Sequence, residues 1–153
     1  MVRTLAVIFC LLIGTASVFA GETPPEGRWT VVSGVQLGEK LITVTDKDDP
    51  YIGKTIRFSR HGVDGPLLLN CHDAAFAWSF MPAEWLFQGF AETAEKAAVN
   101  AGVLRLANPA RTLSMTCETG IFDFHMRDES TMLIIINWVV YTFERQRMRE
   151  RWR

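Results

Sequence analysis

The chain has 153 residues, of which 48% are hydrophobic and 22% are charged, and its formal net charge is −1. The charge is segregated, because residues 21–144 carry −6 whereas residues 145–153 carry +4. This distribution excludes the class of nucleic-acid-binding domains, in which a basic face dominates the fold.

The first twenty residues have the three parts of a secretory signal peptide. Arg3 supplies the positive charge, and Leu5–Ile13 is an unbroken apolar stretch. Val18 and Ala20 place short side chains three and one positions before the cleavage position. The pattern predicts cleavage before Gly21 and export to the periplasm or the medium. An uncleaved membrane anchor is the alternative, although the apolar stretch is shorter than the about 20 residues that a membrane-spanning helix needs.

Residues 21–27 predict an extended N-terminal arm, because two adjacent prolines cannot donate hydrogen bonds to a β-ladder. β-branched runs and alternating apolar residues then predict a series of strands. In chain order, these predicted strands are residues 28–35, 41–45, 54–59 and 67–71.

The centre of the chain has helical signals instead. In residues 81–89 a proline stands where a first helical turn tolerates it, and a glycine stands where a helix ends. Residues 91–101 are rich in alanine and glutamate and are followed by Gly102, a common helix stop. We therefore predict one or two short helices between two groups of strands.

Strand patterns return in residues 113–117 and 121–126. Residues 132–141 are almost wholly apolar and predict either two buried strands joined near Asn137-Trp138 or one long bent strand. Frequent turn residues favour a closed β architecture. The predicted fold of residues 28–145 is mainly β, a barrel or half-barrel of about seven or eight antiparallel strands with the helices inserted in the middle. Residues 146–153 form a basic C-terminal tail.

Removal of the signal peptide would leave two of the three cysteines, Cys71 and Cys117. Two cysteines in an exported chain predict one disulfide. A bridge that closes a loop of this length contributes about 3–5 kcal/mol in the chain-entropy description. Two buried free thiols are the alternative.

Gly27-Arg28-Trp29 opens the first predicted strand, and Arg145 ends the last one. This arrangement resembles the calycin pattern of lipocalins and related small exported barrels. The resemblance implies that Trp29 closes one end of the barrel and that the Arg145 guanidinium packs over the indole, a contact worth about 0.5–2 kcal/mol. It also implies two functions, inhibition of a secreted hydrolase or transport of a small apolar ligand. The chain is shorter than classical lipocalins and has no Ser-Gly-x-x-Tyr loop of the kind that lysozyme inhibitors use.

Two stretches have the composition of binding surfaces. Aromatic side chains concentrate in residues 76–90, where we predict a binding patch of Trp78, Phe80, Trp85 and Phe87. Packing of these rings onto the barrel is the alternative. In the tail, arginine recurs at every other position, and we predict contact with an anionic membrane surface or an acidic partner through Arg147, Arg149, Arg151 and Arg153. A solvated, unstructured end is the alternative.

Asp123 and His125 lie two residues apart on a predicted strand and therefore share a face. They are either half of a metal or acid–base site or part of a solvent-facing polar row. No histidines have metal-ligand spacing, and no serine-nucleophile or phosphate-binding glycine motif occurs. We therefore predict no catalytic residues, no metal and no cofactor. The leading interpretation is a non-enzymatic exported binding protein with a protein partner, in the form of an inhibitor of a secreted or envelope hydrolase, and the alternative is a carrier of a small apolar ligand in a lipocalin-like barrel.

Overall fold

The structure, a computed structural model, describes residues 23–45, 49–87, 89–90 and 93–146. The predicted signal peptide and the four tail arginines lie outside these residues, so both stay predictions, as do the domain boundaries. Within the described residues, no helix is both long enough and apolar enough to cross a bilayer.

In the described part of the chain, ten antiparallel strands form one sheet that curls into a half-barrel. The strands are β1 (Gly27–Gln36), β2 (Ile42–Thr43), β3 (Thr55–Ser59), β4 (Gly62–Asp64), β5 (Cys71–His72), β6 (Ala75–Met81), β7 (Ala110–Cys117), β8 (Gly120–Asp128), β9 (Thr131–Ile136) and β10 (Val139–Arg145). Nine of them follow the order β5-β4-β3-β1-β10-β9-β8-β7-β6, and β2 pairs with β1 alongside this path. The predicted fold class is confirmed, with more strands than expected because several are very short.

A disulfide between Cys71 and Cys117 joins the two margins of the curled sheet. Cys71 lies on β5, the last strand at one margin, and Cys117 ends β7, next to β6 at the other margin. The two α-carbons are 6.2 Å apart, within the range that a bridge requires. Beside the bridge, the Thr119 hydroxyl donates to the backbone carbonyl of Leu68 at 3.0 Å. The predicted disulfide is therefore confirmed. Because it links the two margins of the half-barrel covalently, we call it the disulfide latch.

Alternation along each strand fills the interior with large apolar side chains. Trp29, Phe58, Phe124 and Phe143 are all 0–1% exposed. The three phenylalanine rings pack edge to face, with 5.2 Å between the centroids of Phe58 and Phe124 and 6.3 Å between those of Phe124 and Phe143. This geometry is the favourable one for aromatic pairs, so the inside of the half-barrel is a packed core.

A second, smaller core lies on the outward face of β9 and β10. It forms where the 3-10 helix Ala83–Phe87 and helix α1 (Ala94–Val103) cover Leu133 and Val140. The Thr93 hydroxyl accepts a hydrogen bond from the backbone N–H of Lys96 and caps α1. The second predicted helix is thus present, and its start is set by this cap.

Two segments differ from the sequence prediction in their local conformation. The first predicted helix is a single 3-10 segment, in which the Trp85 N–H donates to the carbonyl of Pro82, three residues back. Residues 67–71 were expected to form one strand, but Leu67–Leu69 is a 3-10 helix and only Cys71–His72 is extended. Pro66 accepts from the Leu69 N–H at 3.0 Å, a local bond that replaces pairing with a neighbouring strand.

The long apolar stretch of residues 132–141 is two strands, β9 and β10. They are joined by Asn137 and Trp138, which both have positive φ, of 49° and 70°. This is the backbone of a tight two-residue hairpin turn. The two-strand alternative is therefore confirmed.

Candidate functional site

An open groove of about 510 Å³ lies at the edge of the small outer core, between the 3-10 helix Ala83–Phe87 and the outward face of β8 and β9. We call it the outer groove. Three large apolar residues on its lining are exposed, namely Leu68 at 41%, Trp85 at 49% and Ile121 at 71%. Single exposed apolar side chains are common on protein surfaces, but here three of them border one groove, so its rim presents grouped hydrophobic surface.

The rim residues come from three separate parts of the chain. Leu68 belongs to the 3-10 helix beside the disulfide, Trp85 to the 3-10 helix of the outer core, and Ile121 to the start of β8. The disulfide and the Thr119–Leu68 hydrogen bond hold the first of these elements against the sheet. The rim is therefore built on fixed elements of the fold.

The groove also has a polar component, contributed by the outward side chains of β8. Nδ1 of His125 lies 3.0 Å from the hydroxyl oxygen of Thr112, and this hydroxyl donates to the carbonyl of Ala110 at 3.2 Å. The pattern favours the tautomer in which Nδ1 donates to Thr112 and Nε2 is the acceptor. At the neighbouring pair of outward positions on β7 and β8, the Ser114 hydroxyl donates to Asp123 at 2.5 Å. Both side chains of the predicted Asp123–His125 face therefore have a partner on β7.

His125 is only 1% exposed, so the prediction of a solvent-facing row is wrong for this residue. The 3-10 helix Ala83–Phe87 contacts β8 on this side of the sheet, and sequence periodicity does not reveal such a covering element. Burial lowers the pKa of His125 because it disfavours the imidazolium ion, while the charge of Asp123 acts in the opposite direction. The ring is consequently neutral at pH 7. Among the described residues, no three His, Cys, Asp or Glu side chains are grouped closely enough to hold a metal ion.

A second cavity, of about 340 Å³, adjoins the outer groove and shares Gly89 and Phe90 with it. Trp138, at the tip of the β9–β10 turn, lines this cavity and is 52% exposed. Its ring meets Phe90 edge to face, with 5.1 Å between the centroids. The exposed apolar surface thus continues from Trp85 past Phe90 to Trp138.

The predicted aromatic patch does not form a single surface. Phe87 is 1% exposed and belongs to the outer core, as the packing alternative predicts for this ring. Trp78 is half-buried against the barrel interior, where Arg111 lies 4.0 Å over its ring and its Nε1 donates to the carbonyl of Thr23. Phe80, at 72% exposure, and Trp85 stay accessible, but of the four only Trp85 lines the outer groove.

The structure also brings together the two residues on which the calycin resemblance depends. Trp29 and Arg145 are directly opposite each other on β1 and β10, and the guanidinium carbon lies 5.6 Å from the centre of the Trp29 ring. The Trp29 Nε1 donates to the carbonyl of Pro25, so the N-terminal arm also takes part in this contact. The geometry is the one that the resemblance implies.

Sequence reasoning missed three residues of this region, Leu68, Ile121 and Trp138. The alternation of side chains along β8 could have identified Ile121, because it shares a face with Asp123 and His125. Phe122 and Phe124 face the other way. An isoleucine within a polar face is a candidate for exposure or for contact with another element. Leu68 and Trp138 lie in a 3-10 helix and a turn, where no periodic pattern predicts orientation.

No family model, no curated protein and no solved structure matches this chain. The class that the fold defines is a curled antiparallel β half-barrel, which is compatible with the calycin-like fold.

Proposed function

We propose that this protein is a non-enzymatic exported binding protein that engages a protein partner through the outer groove. The observation that carries the proposal is the uncovered rim of Leu68, Trp85 and Ile121 around a groove of about 510 Å³. Contiguous exposed apolar surface with polar groups beside it is typical of protein interaction sites. Tryptophan is also among the residues that most often dominate the binding free energy of an interface.

The filled interior favours this proposal over the second one, a carrier of a small apolar ligand. The side chains of Trp29, Phe58, Phe124 and Phe143 occupy the space that such a ligand would take. A ligand in the barrel would have to displace a packed core, and forcing even extra methylene groups into such a core costs about 1–3 kcal/mol. No comparable obstacle exists at the outer groove, which is open.

In the form that we propose, the partner is a secreted or envelope hydrolase, and the bound protein inhibits it. Rigidity supports this form. The disulfide latch and the packed interior hold the rim in one geometry, which reduces the ordering cost of association. Export is supported by the predicted signal peptide together with the disulfide, which persists in oxidising compartments. Processing before Gly21 can be checked by sequencing the N-terminus of the protein recovered from its own host.

Site-specific photo-crosslinking tests the proposal by capturing the partner directly from its host. Ile121 is replaced by a benzophenone-bearing amino acid in the full chain, which is expressed in its own host and irradiated. We expect one protein adduct of defined mass. The matched control carries the same amino acid at Val32, another exposed apolar residue, which lies on β1 and does not line the outer groove.

A second variant makes the result specific. Adding Leu68→Asp to the Ile121 probe places a charge on the opposite part of the rim, and we expect it to abolish the adduct while the protein stays folded. The proposal fails if Ile121 gives no adduct, if Val32 gives the same adduct, or if Leu68→Asp leaves its yield unchanged.

A further inference from the structure

A second surface, apart from the outer groove, lies where β1 begins and β10 ends. Four arginines lie around this end of the sheet, and we call them the arginine cluster: Arg28 at the start of β1, Arg57 on β3, Arg60 directly after β3 and Arg145 at the end of β10. All four are exposed. Arg57, Arg60 and Arg145, together with Glu26, border an open cavity of about 490 Å³.

The strand register places two of these cations side by side. Arg28 on β1 is directly opposite Arg57 on β3, and both belong to the outward face, since their neighbours Trp29, Ile56 and Phe58 are buried. Like charges that face each other across a strand pair destabilise the sheet. A bound anion would remove this repulsion.

The positive charge of the cluster is only partly balanced by the carboxylates near it within the described residues. Arg145 donates to the backbone carbonyl of Glu26 at 2.7 Å and lies over the ring of Trp29, and both of these partners are neutral. Asp64 is opposite Arg57 on β4, yet none of the four arginines forms an ion pair in the part of the chain that the structure describes. Four guanidinium groups thus stand against three nearby carboxylates, those of Glu26, Asp64 and Glu144, the last of which lies on β10 opposite Thr30.

The basic tail begins at this same surface. Gln146, which directly follows β10, donates its backbone N–H to the carbonyl of Arg28 at 2.8 Å. The next seven residues in the sequence hold four further arginines and one tryptophan. The chain therefore joins two basic regions, one on the folded barrel and one in the tail sequence.

We propose that the arginine cluster binds phosphate groups of anionic lipid headgroups and so holds the protein at a membrane surface. Guanidinium groups bind phosphate oxygens in a bidentate manner. A membrane, as opposed to a soluble phosphate, suits the number of cations, because one phosphate group carries a charge of only about −2. The site is separate from the outer groove and does not depend on the proposed protein partner.

Vesicle cosedimentation with the full processed chain tests the proposal. The vesicles contain phosphatidylglycerol and phosphatidylcholine in equal amounts, and vesicles of phosphatidylcholine alone serve for comparison. We expect binding to the anionic vesicles only, and a steep decrease with added salt. Replacing Arg57 and Arg60 together by glutamine should lower the ratio of bound to free protein about 25-fold, since each arginine at an anionic surface contributes a factor of about five.

The matched control is Lys40→Gln with Arg105→Gln, which removes the same charge from two exposed residues that do not border this cavity. We expect this variant to lose less than about twofold in vesicle binding. Equal losses in the two variants would reduce the effect to net charge and overturn the proposal. It would also be overturned by equal binding to neutral vesicles, or by competition from inorganic phosphate beyond that of sodium chloride at equal ionic strength, which would identify a site for soluble phosphate.

Discussion

The inward and outward faces of β8, β9 and β10 are made by the same strands but have opposite properties. On the inward face, Phe124, Met132 and Phe143 are fully buried and contact other apolar side chains. On the outward face, the same strands carry a buried histidine, a hydrogen-bonded aspartate and an isoleucine that is 71% exposed. The inward face holds the fold together, and the outward face has surface left over for recognition.

The cause of this difference is the extent of the covering layer. The 3-10 helix Ala83–Phe87 and α1 cover Leu133 and Val140 but leave Ile121 uncovered. Because alternate residues of a strand face opposite sides, a shift of one residue would exchange the two faces. The strand register therefore sets which side chains lie on which face, and substitutions on either face test the difference between the two faces.

The largest loss should come from the inward face. Replacing Phe124 by alanine leaves a cavity in the aromatic core, and we expect the free energy of unfolding to fall by about 3–5 kcal/mol. Equilibrium denaturation in urea measures this change. A loss of under about 1 kcal/mol would show that the interior is loosely packed and would reopen the carrier function.

The second largest loss of stability should come from removing the disulfide latch between the two margins of the sheet. The double variant Cys71→Ser with Cys117→Ser should lose about 4 kcal/mol in the chain-entropy description, because the bridge joins cysteines 46 residues apart in sequence. The measurement is equilibrium unfolding of the variant against the oxidised protein, with reduced wild type as a control. If the variant and the oxidised protein unfold at the same denaturant concentration, the latch does not stabilise the half-barrel.

A smaller, pH-dependent loss is expected at the buried part of the outward face. The pKa of His125 is lowered by burial from its ordinary value of 6.5, so the unfolded chain binds a proton at a higher pH than the folded protein does. Stability is unaffected by this group above pH 6.5 and is lost as the pH falls below it, by at most about 1.4 kcal/mol per pH unit. Unfolding free energies measured against pH should diverge between wild type and His125→Gln below pH 6.5. Parallel curves would contradict the buried, neutral state of this ring.

The smallest effect on stability should come from the exposed rim. We expect Trp85→Ala to change the free energy of unfolding by no more than about 0.5 kcal/mol, and to weaken binding of the crosslinked partner by about 30-fold, as removal of a hot-spot residue does. The matched control is Phe80→Ala, which removes another exposed aromatic ring that does not line the outer groove. Equal affinities of the two variants would remove Trp85 from the interface.

Much of the fold could be predicted because it depends on local signals. Alternation along residues 121–126 places Phe122 and Phe124 on one face, and the structure agrees. The bridge between Cys71 and Cys117 followed from the number of cysteines and the export signal. The 3-10 helix Leu67–Leu69 was not predicted, because a run of three leucines is equally compatible with a short helix and with a buried strand.

The candidate site was predictable only in part, because its exposure is a non-local property. Trp85 and Phe87 are two residues apart and equally aromatic, yet one is 49% exposed and the other 1%. Which of the two faces the barrel depends on how the 3-10 helix lies over Leu133 and Val140, residues distant in sequence. Likewise, the alternation along β8 predicted that Asp123 and His125 share a face, but it did not show that an inserted segment covers His125.

The central claim is that recognition occurs on the outward side of a filled barrel, and methyl NMR of the complex with the crosslinked partner tests it most directly. We expect the methyl signals of Leu68 and Ile121 to shift on binding, and those of Ile56 and Leu113, both 0% exposed in the interior, to stay in place. Shifts at Ile56 and Leu113 without any at Leu68 and Ile121 would contradict the account.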